Sequence, residues 1–504
     1  MKFRRVLTAA ALAAALTVTG CAASSGNAAP ANTTLTLANS LEPISWDPAE
    51  SLGGDPLQYY QTVYDTLIRR TPDGEFVPML AKSWEYDDAG LVLSLELRDD
   101  VEFSDGEHFN AEAVKANVEH IKSGPAAIAS LFSRMVSAEV TGEYSIDITL
   151  SEPEPMLINS LSNLAGLMGS PKALGTEDIK TKPVGTGPYL MDSSKTTIGS
   201  QYTFVKNEDY WAPDLQHYDT IVIKPIADAT ARLNALVSGQ IDATRLDAKQ
   251  MKQAESAGMV PHLQELDWLG FTFFDRAGEL SPALGDARVR QAINYAIDKK
   301  SILTKIFQDQ GTLTSQTFGP TSTAYVEGLE DAYAYDPDRA RELIEESGFT
   351  DIVIDTPVLT TDDPALTAVI TEQLAAVGIT LNVKSIAPAD LASEVLGGKY
   401  PILMWSMGQS STWTTIRTHI APDAALNLRH STDPKVSQLI SEIQYGDEDA
   451  AEEKAQELNE YLVEQAWYAP WFRLQFPYYS NKKVDVELNT EQGVPFIYSY
   501  KPAT

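Results

Sequence analysis

The sequence predicts an α/β protein. Two patterns carry that expectation. Short segments alternate apolar and polar residues at the period of a half-buried strand. Between them run segments whose apolar residues recur at three- and four-residue steps, the period of a helix face. A third observation is the punctuation between segments, where Asp, Pro and Gly stand at the positions that start and stop helices.

The elements follow in order. "TLTLANS" (Thr34 to Ser40) alternates and reads as an opening strand, and "LQYYQTVYDTLIRR" reads as a helix. "LVLSLEL" (Leu91 to Leu97) and "YSIDITL" (Tyr144 to Leu150) are strands, with Ile146, Ile148 and Leu150 on one face. "AEAVKANVEHI" between them has helical spacing. "YDTIVIKPI" (Tyr218 to Ile226) is a strand, followed by helical "ATARLNALVSG" ending at Gly239. "DARVRQAINYAIDKKSIL" puts Val289, Ala292, Ile293, Ala296 and Ile297 on one helix face. In "YDPDRARELIEESGF", Asp336 suits the N-cap, Pro337 the first helical position and Gly348 the left-handed position past the end. "LTAVITEQLAAVGI" and "TLNVKSI" are helix then strand, and the acidic "DEDAAEEKAQELNEYLVEQA" is a long surface helix. "LMWSMGQSSTWTTIRTH" (Leu403 to His419) fits neither period.

The first twenty residues read as an export signal. Lys2, Arg4 and Arg5 precede a short apolar run, Val6 to Leu16, too short to span a bilayer. Val18-Thr19-Gly20-Cys21 resembles a lipobox, with Cys21 as the lipidated residue and its acyl chains as the membrane anchor. Residues 21–32 are small and polar and read as a flexible tether. Cys21 is the one cysteine of the chain, so no intramolecular disulfide forms and 504 residues rest on their apolar core.

The formal charge is −32, and loss of the three basic leader residues takes it to −35. Such acidity argues against nucleic acid as a partner and against a polybasic membrane grip. The six histidines form no zinc-type pair, and adjacent acids such as Asp99-Asp100 read as solvated turns. No GxSxG elbow or catalytic triad is visible, and no cofactor motif either. "GTGPY" lacks the Gly-Lys-Ser/Thr of a phosphate loop, so Gly185, Thr186 and Gly187 read as a tight structural turn.

Six motifs stand in a fixed order: "YDTLIRRTPDGEFVPMLAKSWEY", "LELRDDVEFSDGEHFNAEAV", "PVGTGPY", "NEDYW", "ARLNALVSGQID" and "DARVRQAINYAIDKKSI". In this order, behind a lipobox, the chain resembles the peptide/nickel-type extracytoplasmic solute-binding proteins of ABC importers, over nearly all of its length after the leader. The resemblance implies a two-lobed, periplasmic-binding-protein-like fold of type II with an extra domain, hinged around a ligand cleft. It implies lobe one from residues 33–46, 182–265 and 474–504, an inserted domain at 47–181 and lobe two at 266–473. It implies no catalysis, delivery of a peptide-like solute to a permease and ATPase complex, and a place at the outer face of the cell membrane.

The resemblance also places "LMWSMGQSSTWTTIRTH" on the lobe-two wall of the cleft. Peptide-binding members carry a Trp-x-x-Asp-type loop there, whose aspartate pairs with the peptide's ammonium. This chain has no acidic residue from Pro401 to Pro422. Neutral Gln409, Ser410, Ser411 and Thr412 stand instead. The expected ligand contacts are Trp405, Met407, Gln409, Ser410, Ser411 and Trp413, with Arg417 for a carboxylate. Trp46 and Trp268 either line the cleft or pack a core. His419 and His430 lie nearest the expected pocket. A metal chelate is the alternative cargo, although Pro155 to Pro171 lacks the arginine that nickel-binding members use. A secreted hydrolase is the competing class.

Overall fold

The computed structural model describes residues 33–503, apart from 155, 361–362, 388–389, 391–393, 396, 409–410, 447 and 491. The expected leader, Cys21 and the tether lie outside the described residues, as do Gln409 and Ser410.

Alternating segments become strands as their period requires. Leu35 and Leu37 are fully buried on the strand Thr34–Asn39, and Ile146 and Ile148 on Ser145–Leu150. The described residues form one nine-stranded sheet. Its order is Ile402–Gly408, Val260–Phe273, Tyr468–Ser480, Ala243–Arg245, Thr34–Asn39, Thr220–Pro225, Tyr202–Lys206, Tyr189–Met191, with Gly311–Leu313 also paired to Tyr468–Ser480. Two long antiparallel strands, Val260–Phe273 and Tyr468–Ser480, pair along their length across both expected lobe boundaries, at 265/266 and 473/474. Their pairing shifts register between Glu265 and Asp267 and between Leu269 and Gly270. Such bulges bend and twist a strand pair, so the sheet turns where it passes between lobes. At the second, a Cβ on Gly270 would lie 2.1 Å from the Ala469 carbonyl oxygen, so glycine is required.

Separate cores flank the crossing. Leu35, Leu37, Phe204, Ile221 and Ile223 belong to the lobe-one core. A four-stranded antiparallel sheet, in the order Ala81–Tyr86, Val92–Leu97, Ser145–Leu150, Met135–Gly142, packs with the helix Ala111–Lys122 around a core of its own. In lobe two, Val289, Ala292, Ile293, Ala296 and Ile297 are each at most 1 % exposed, as their spacing predicts. Burying a Val or Ile side chain of this kind contributes about 1.5–3 kcal/mol. The helix stops at Ala296 and Asp298 caps the next, Lys299–Phe307, through its bond from the Ser301 amide. The helix Pro337–Ser347 also has its expected ends: Asp336 accepts the Arg339 amide at 2.9 Å, and Gly348 has φ 76°.

Two segments differ from expectation. "LQYYQTVYDTLIRR" is a helix only over Leu57–Val63, and Ile68–Arg70 is a strand. That helix sends Tyr59 and Tyr60 into the lobe-one core, although its residues fall in the span expected for the inserted domain. Aromatic burial there outweighs sequence contiguity. "LMWSMGQSSTWTTIRTH" contains an edge strand, Ile402–Gly408, then a helical turn, Thr412–Thr415, passing into a π-turn at Ile416–Ile420. The strand is buried on both faces over Ile402–Met404, which hides its alternation.

The ordered motifs meet in space. Gly187 donates its amide to the Val63 carbonyl at 3.0 Å. A Cβ would lie 2.2 Å from the Val63 oxygen at Gly185 and 2.4 Å from the Val63 carbon at Gly187. Neither glycine has a positive φ among the described residues. Close backbone approach, and not the expected tight turn, is therefore what demands glycine. Next to it lies Asp65, fully enclosed, accepting Tyr210 Oη and Trp211 Nε1 at 2.9 Å each. The Asp65 amide donates to Thr186 Oγ1 at 3.4 Å. Burial pushes the Asp65 carboxyl up to about 7 against the lowering effect of its bonds to Trp211, Tyr210 and Thr186. "YDTL", "GTGPY" and "NEDYW" are thus one buried junction. Among the described residues no helix is long and apolar enough to cross a membrane.

Candidate functional site

In α/β proteins solutes gather outside the carboxyl ends of strands, where loops from different segments converge. In lobe one, Thr34–Asn39 and Ala243–Arg245 run parallel, and residues just beyond Arg245 line the gap between lobes. In lobe two, Leu359 at the end of Ile352–Leu359, the residues Asp363 and Leu366 beyond it, and Met404 to Ser406 of the edge strand Ile402–Gly408 line that gap.

A cavity of about 560 Å³ occupies it. Lobe one contributes Asp247, Ala248 and Lys249, just beyond the strand Ala243–Arg245. Lobe two contributes Leu359, Asp363 and Leu366 from one side, and Ile306, Phe307, Gln308 and Gln310 from another. Leu269 of the crossing strand and Met404, Trp405 and Ser406 of the edge strand complete the wall. The volume is that of a small-molecule site, and the lining is apolar with a few polar groups, the composition such sites share. Asp363 already accepts the Ala365 amide at 2.9 Å as a helix cap, and Asp247 closes a capping box with Gln250.

The crossing strand carries one more carboxylate on this face. Asp267 and Leu269 are two residues apart on a regular stretch and share a side. Ser406 Oγ donates to Asp267 Oδ2 at 3.0 Å. Opposite Asp267 in register stands Gly408, which has no side chain to cover it. Burial raises the Asp267 carboxyl above its ordinary value, opposed by the Ser406 bond and by the charge of Arg245. Arg245 lies over the Phe476 ring at 5.8 Å and 4.0 Å from Asp55.

The structure divides the expected contacts. Trp405 lines the cavity, half-buried, with its indole N–H directed at the Met407 sulfur. Met407 itself is 2 % exposed and supports Trp405 from within a core. Ser411 caps the turn Thr412–Thr415 by accepting the Thr414 amide. Trp413 is buried, and its Nε1 donates to Glu154 Oε1 at 3.1 Å. Arg417 donates to both oxygens of Asp423 at 3.0 and 3.1 Å, and Asp423 also receives Arg134 at 3.2 Å. Trp413 and Arg417 therefore tie lobe two to the segments around Arg134 and Glu154 and do not reach the cavity wall. Arg417 already pairs with its own lobe's carboxylate.

Trp46 is 4 % exposed, its ring 5.9 Å from those of Tyr60 and Phe204, so it is lobe-one core. Trp268 is fully buried and meets Tyr468 edge-on at 5.8 Å. Neither offers a face to the cleft. His419 is buried, and desolvation lowers its imidazole to about 4. His430 is exposed, with Nδ1 3.0 Å from the Pro422 carbonyl oxygen. Among the described residues no group of three or more His, Cys, Asp or Glu could hold a metal ion. The sequence reading missed Asp247 to Lys249, Leu359, Asp363, Leu366 and Asp267. Their signal was positional: the first six follow or end a strand and Asp267 lies within the crossing strand, which only the topology reveals.

A solute cavity between lobes joined by two strands defines a class, the hinged two-lobed binding proteins. The particular family follows from comparison. The description "Bacterial extracellular solute-binding proteins, family 5 Middle" matches residues 75–417, and the chain belongs to that family. The glutathione-binding protein GsiB of Escherichia coli K12 is 29% identical over 357 residues, covering 67% of this chain. GsiB of Escherichia coli O1:K1 / APEC is 30% identical over 349 residues, again over 67% of this chain. The matches span 66% of the length of these relatives. NikA of Brucella suis in complex with Fe(III)-EDTA superposes with a TM-score of 0.80 at 24% identity, covering 93% of this chain and 99% of that one. DppA of Helicobacter pylori in complex with peptide STSA gives 0.77 at 21% identity, covering 94% and 99%.

Proposed function

We propose that this chain is a lipid-anchored extracytoplasmic receptor. It captures a short peptide or peptide-like solute between two lobes and delivers it to an ABC permease and its ATPase, without making or breaking a bond. The observation that carries this reading is the cavity of about 560 Å³ walled by both lobes over their two crossing strands. Closing such lobes on a solute buries it from both sides, and separating them releases it. The names of the relatives, a glutathione-binding protein and a protein in complex with a peptide, support a peptide-like cargo. The division into residues 33–46, 182–265 and 474–504, residues 47–181, and residues 266–473 is carried with this reading, with the helix Leu57–Val63 moved to lobe one. Anchoring rests on Cys21.

The test is calorimetry of the purified protein against peptide pools, with chromatography of the same mixtures. Saturable binding near one solute per chain with the peptides recovered intact supports the receptor. Turnover of a peptide at substoichiometric protein overturns it. Membrane fractionation of Cys21→Ser, expected in the soluble fraction, tests the anchor separately.

A further inference from the structure

The acid missing from the lobe-two loop has a counterpart on the hinge. Asp267 lies on the cavity face of the crossing strand, one pair of residues along from Leu269, which lines the cavity. Its one side-chain hydrogen bond among the described residues comes from Ser406, itself a lining residue. Its register partner is Gly408, and a Cβ placed there would stand 3.7 Å from Asp267 Oδ1. Beyond the Ser406 hydroxyl, the edge strand's residue opposite Asp267 therefore puts no side chain over the carboxylate. Among the described residues it makes no ion pair, while the acids that line the cavity are engaged: Asp247 in its capping box with Gln250, Asp363 by a helix amide. A half-buried carboxylate held by a single hydroxyl is poorly compensated for the water it has lost. Its environment gains most from a cation that brings hydrogen-bond donors into the cavity.

We propose that the Asp267 carboxylate is the anchor for an ammonium group of the solute. The proposal rests on the receptor reading above and narrows its cargo to amine-bearing peptides. It moves the charged contact from the lobe-two loop to a strand shared by both lobes. An ammonium seated there binds at the crossing itself, with Ser406 orienting the carboxylate. An N-acylated peptide, having no cation to offer, leaves Asp267 unpaired when the lobes shut over it. Two sources share the chemistry, a free amino terminus and a lysine side chain.

The test is native mass spectrometry of the full-length protein, purified in detergent, against two equimolar pools. One holds di- to pentapeptides with free amino termini, and the other holds the same peptides acetylated at the terminus only. Wild type is expected to retain free-amine members at least about 30-fold better, the scale of losing one partner of a desolvated charge pair. Retained acetylated members would then be enriched in lysine if the side chain is the source. Asp267→Asn keeps the shape and the Ser406 bond and is expected to abolish the preference. Asp267→Glu keeps the charge and is expected to preserve it, so a folding defect in one variant leaves the other informative. Equal retention of both pools by wild type, or an undiminished preference in Asp267→Asn, overturns the anchor and leaves the peptide receptor standing. Retention of neither pool by wild type overturns the peptide cargo and the anchor together.

Discussion

Asp65 should make this protein less stable as pH rises toward neutrality. Its carboxyl is 2 % exposed and pushed up to about 7 from an ordinary 3.8. The folded state therefore holds a proton that the unfolded chain has released across that window. Stability falls with pH wherever the folded state binds more protons, so the loss runs from about pH 4 to about pH 7 and is complete above it. The shift is roughly three pK units, worth about 4 kcal/mol at 1.36 kcal/mol per unit. About two of those units lie between pH 5 and pH 8, which makes the expected loss over that interval roughly 3 kcal/mol. Asp65→Asn cannot ionise, yet like the protonated acid it can keep both contacts: its carbonyl oxygen can accept Trp211 Nε1 while its amide N–H donates to Tyr210 Oη. Urea unfolding of both proteins at about pH 5 and about pH 8 isolates the residue, because every other titrating group is common to the two. Wild type should lose roughly 3 kcal/mol more than the variant between the two conditions. If the two losses agree within about 0.5 kcal/mol, Asp65 is ionised in the folded protein and the account of the junction is wrong.

Other perturbations separate scaffold from site. Gly187→Ala places a methyl 2.4 Å from the Val63 backbone and should destabilise by about 1–3 kcal/mol or more, read as a lower unfolding midpoint. Trp405→Ala should weaken solute affinity about tenfold or more, the cost of losing an aromatic anchor, while Arg417→Ala should change it little because Asp423 already holds that guanidinium. Calorimetry of the pair with one retained peptide decides this, and a larger effect from Arg417 would put the site elsewhere. His419, buried and lowered to about 4, contributes stability that is whole above about pH 6.5 and lost as pH falls toward 4. His419→Gln should therefore flatten the acid limb of the stability curve by up to about 3 kcal/mol, measured by unfolding below neutrality.

Much of this fold was legible in the chain because its signals are local. A helix face needs apolar residues within two turns, so Val289 to Ile297 announced itself, and Asp336, Pro337 and Gly348 marked a helix by caps that act within one turn of the chain. The site was harder to read. Trp405 and Trp413 are the same residue type eight positions apart, yet one lines the cavity and the other bonds Glu154. Which of them faces a solute depends on partners well over a hundred residues away, Gly270 for Trp405 and Glu154 for Trp413. Arg417 looked like a carboxylate binder, and it is one, for Asp423. Glycines read as turn formers turned out to admit a backbone from a distant segment.

Composition and order alone determined the α/β class, the fixed succession of motifs and the lack of an acid between Pro401 and Pro422. These depend on neighbours in the chain, or on the mere presence of a residue. The tertiary structure decided what those motifs are for: three of them close around Asp65, and none lines the cavity. It also decided where the missing charge went. Asp267 is 141 positions before Gly408, and only strand register sets them opposite each other across the cleft floor. Pairing between strands is a long-range choice made by packing on both faces of a sheet, and no window of sequence contains it.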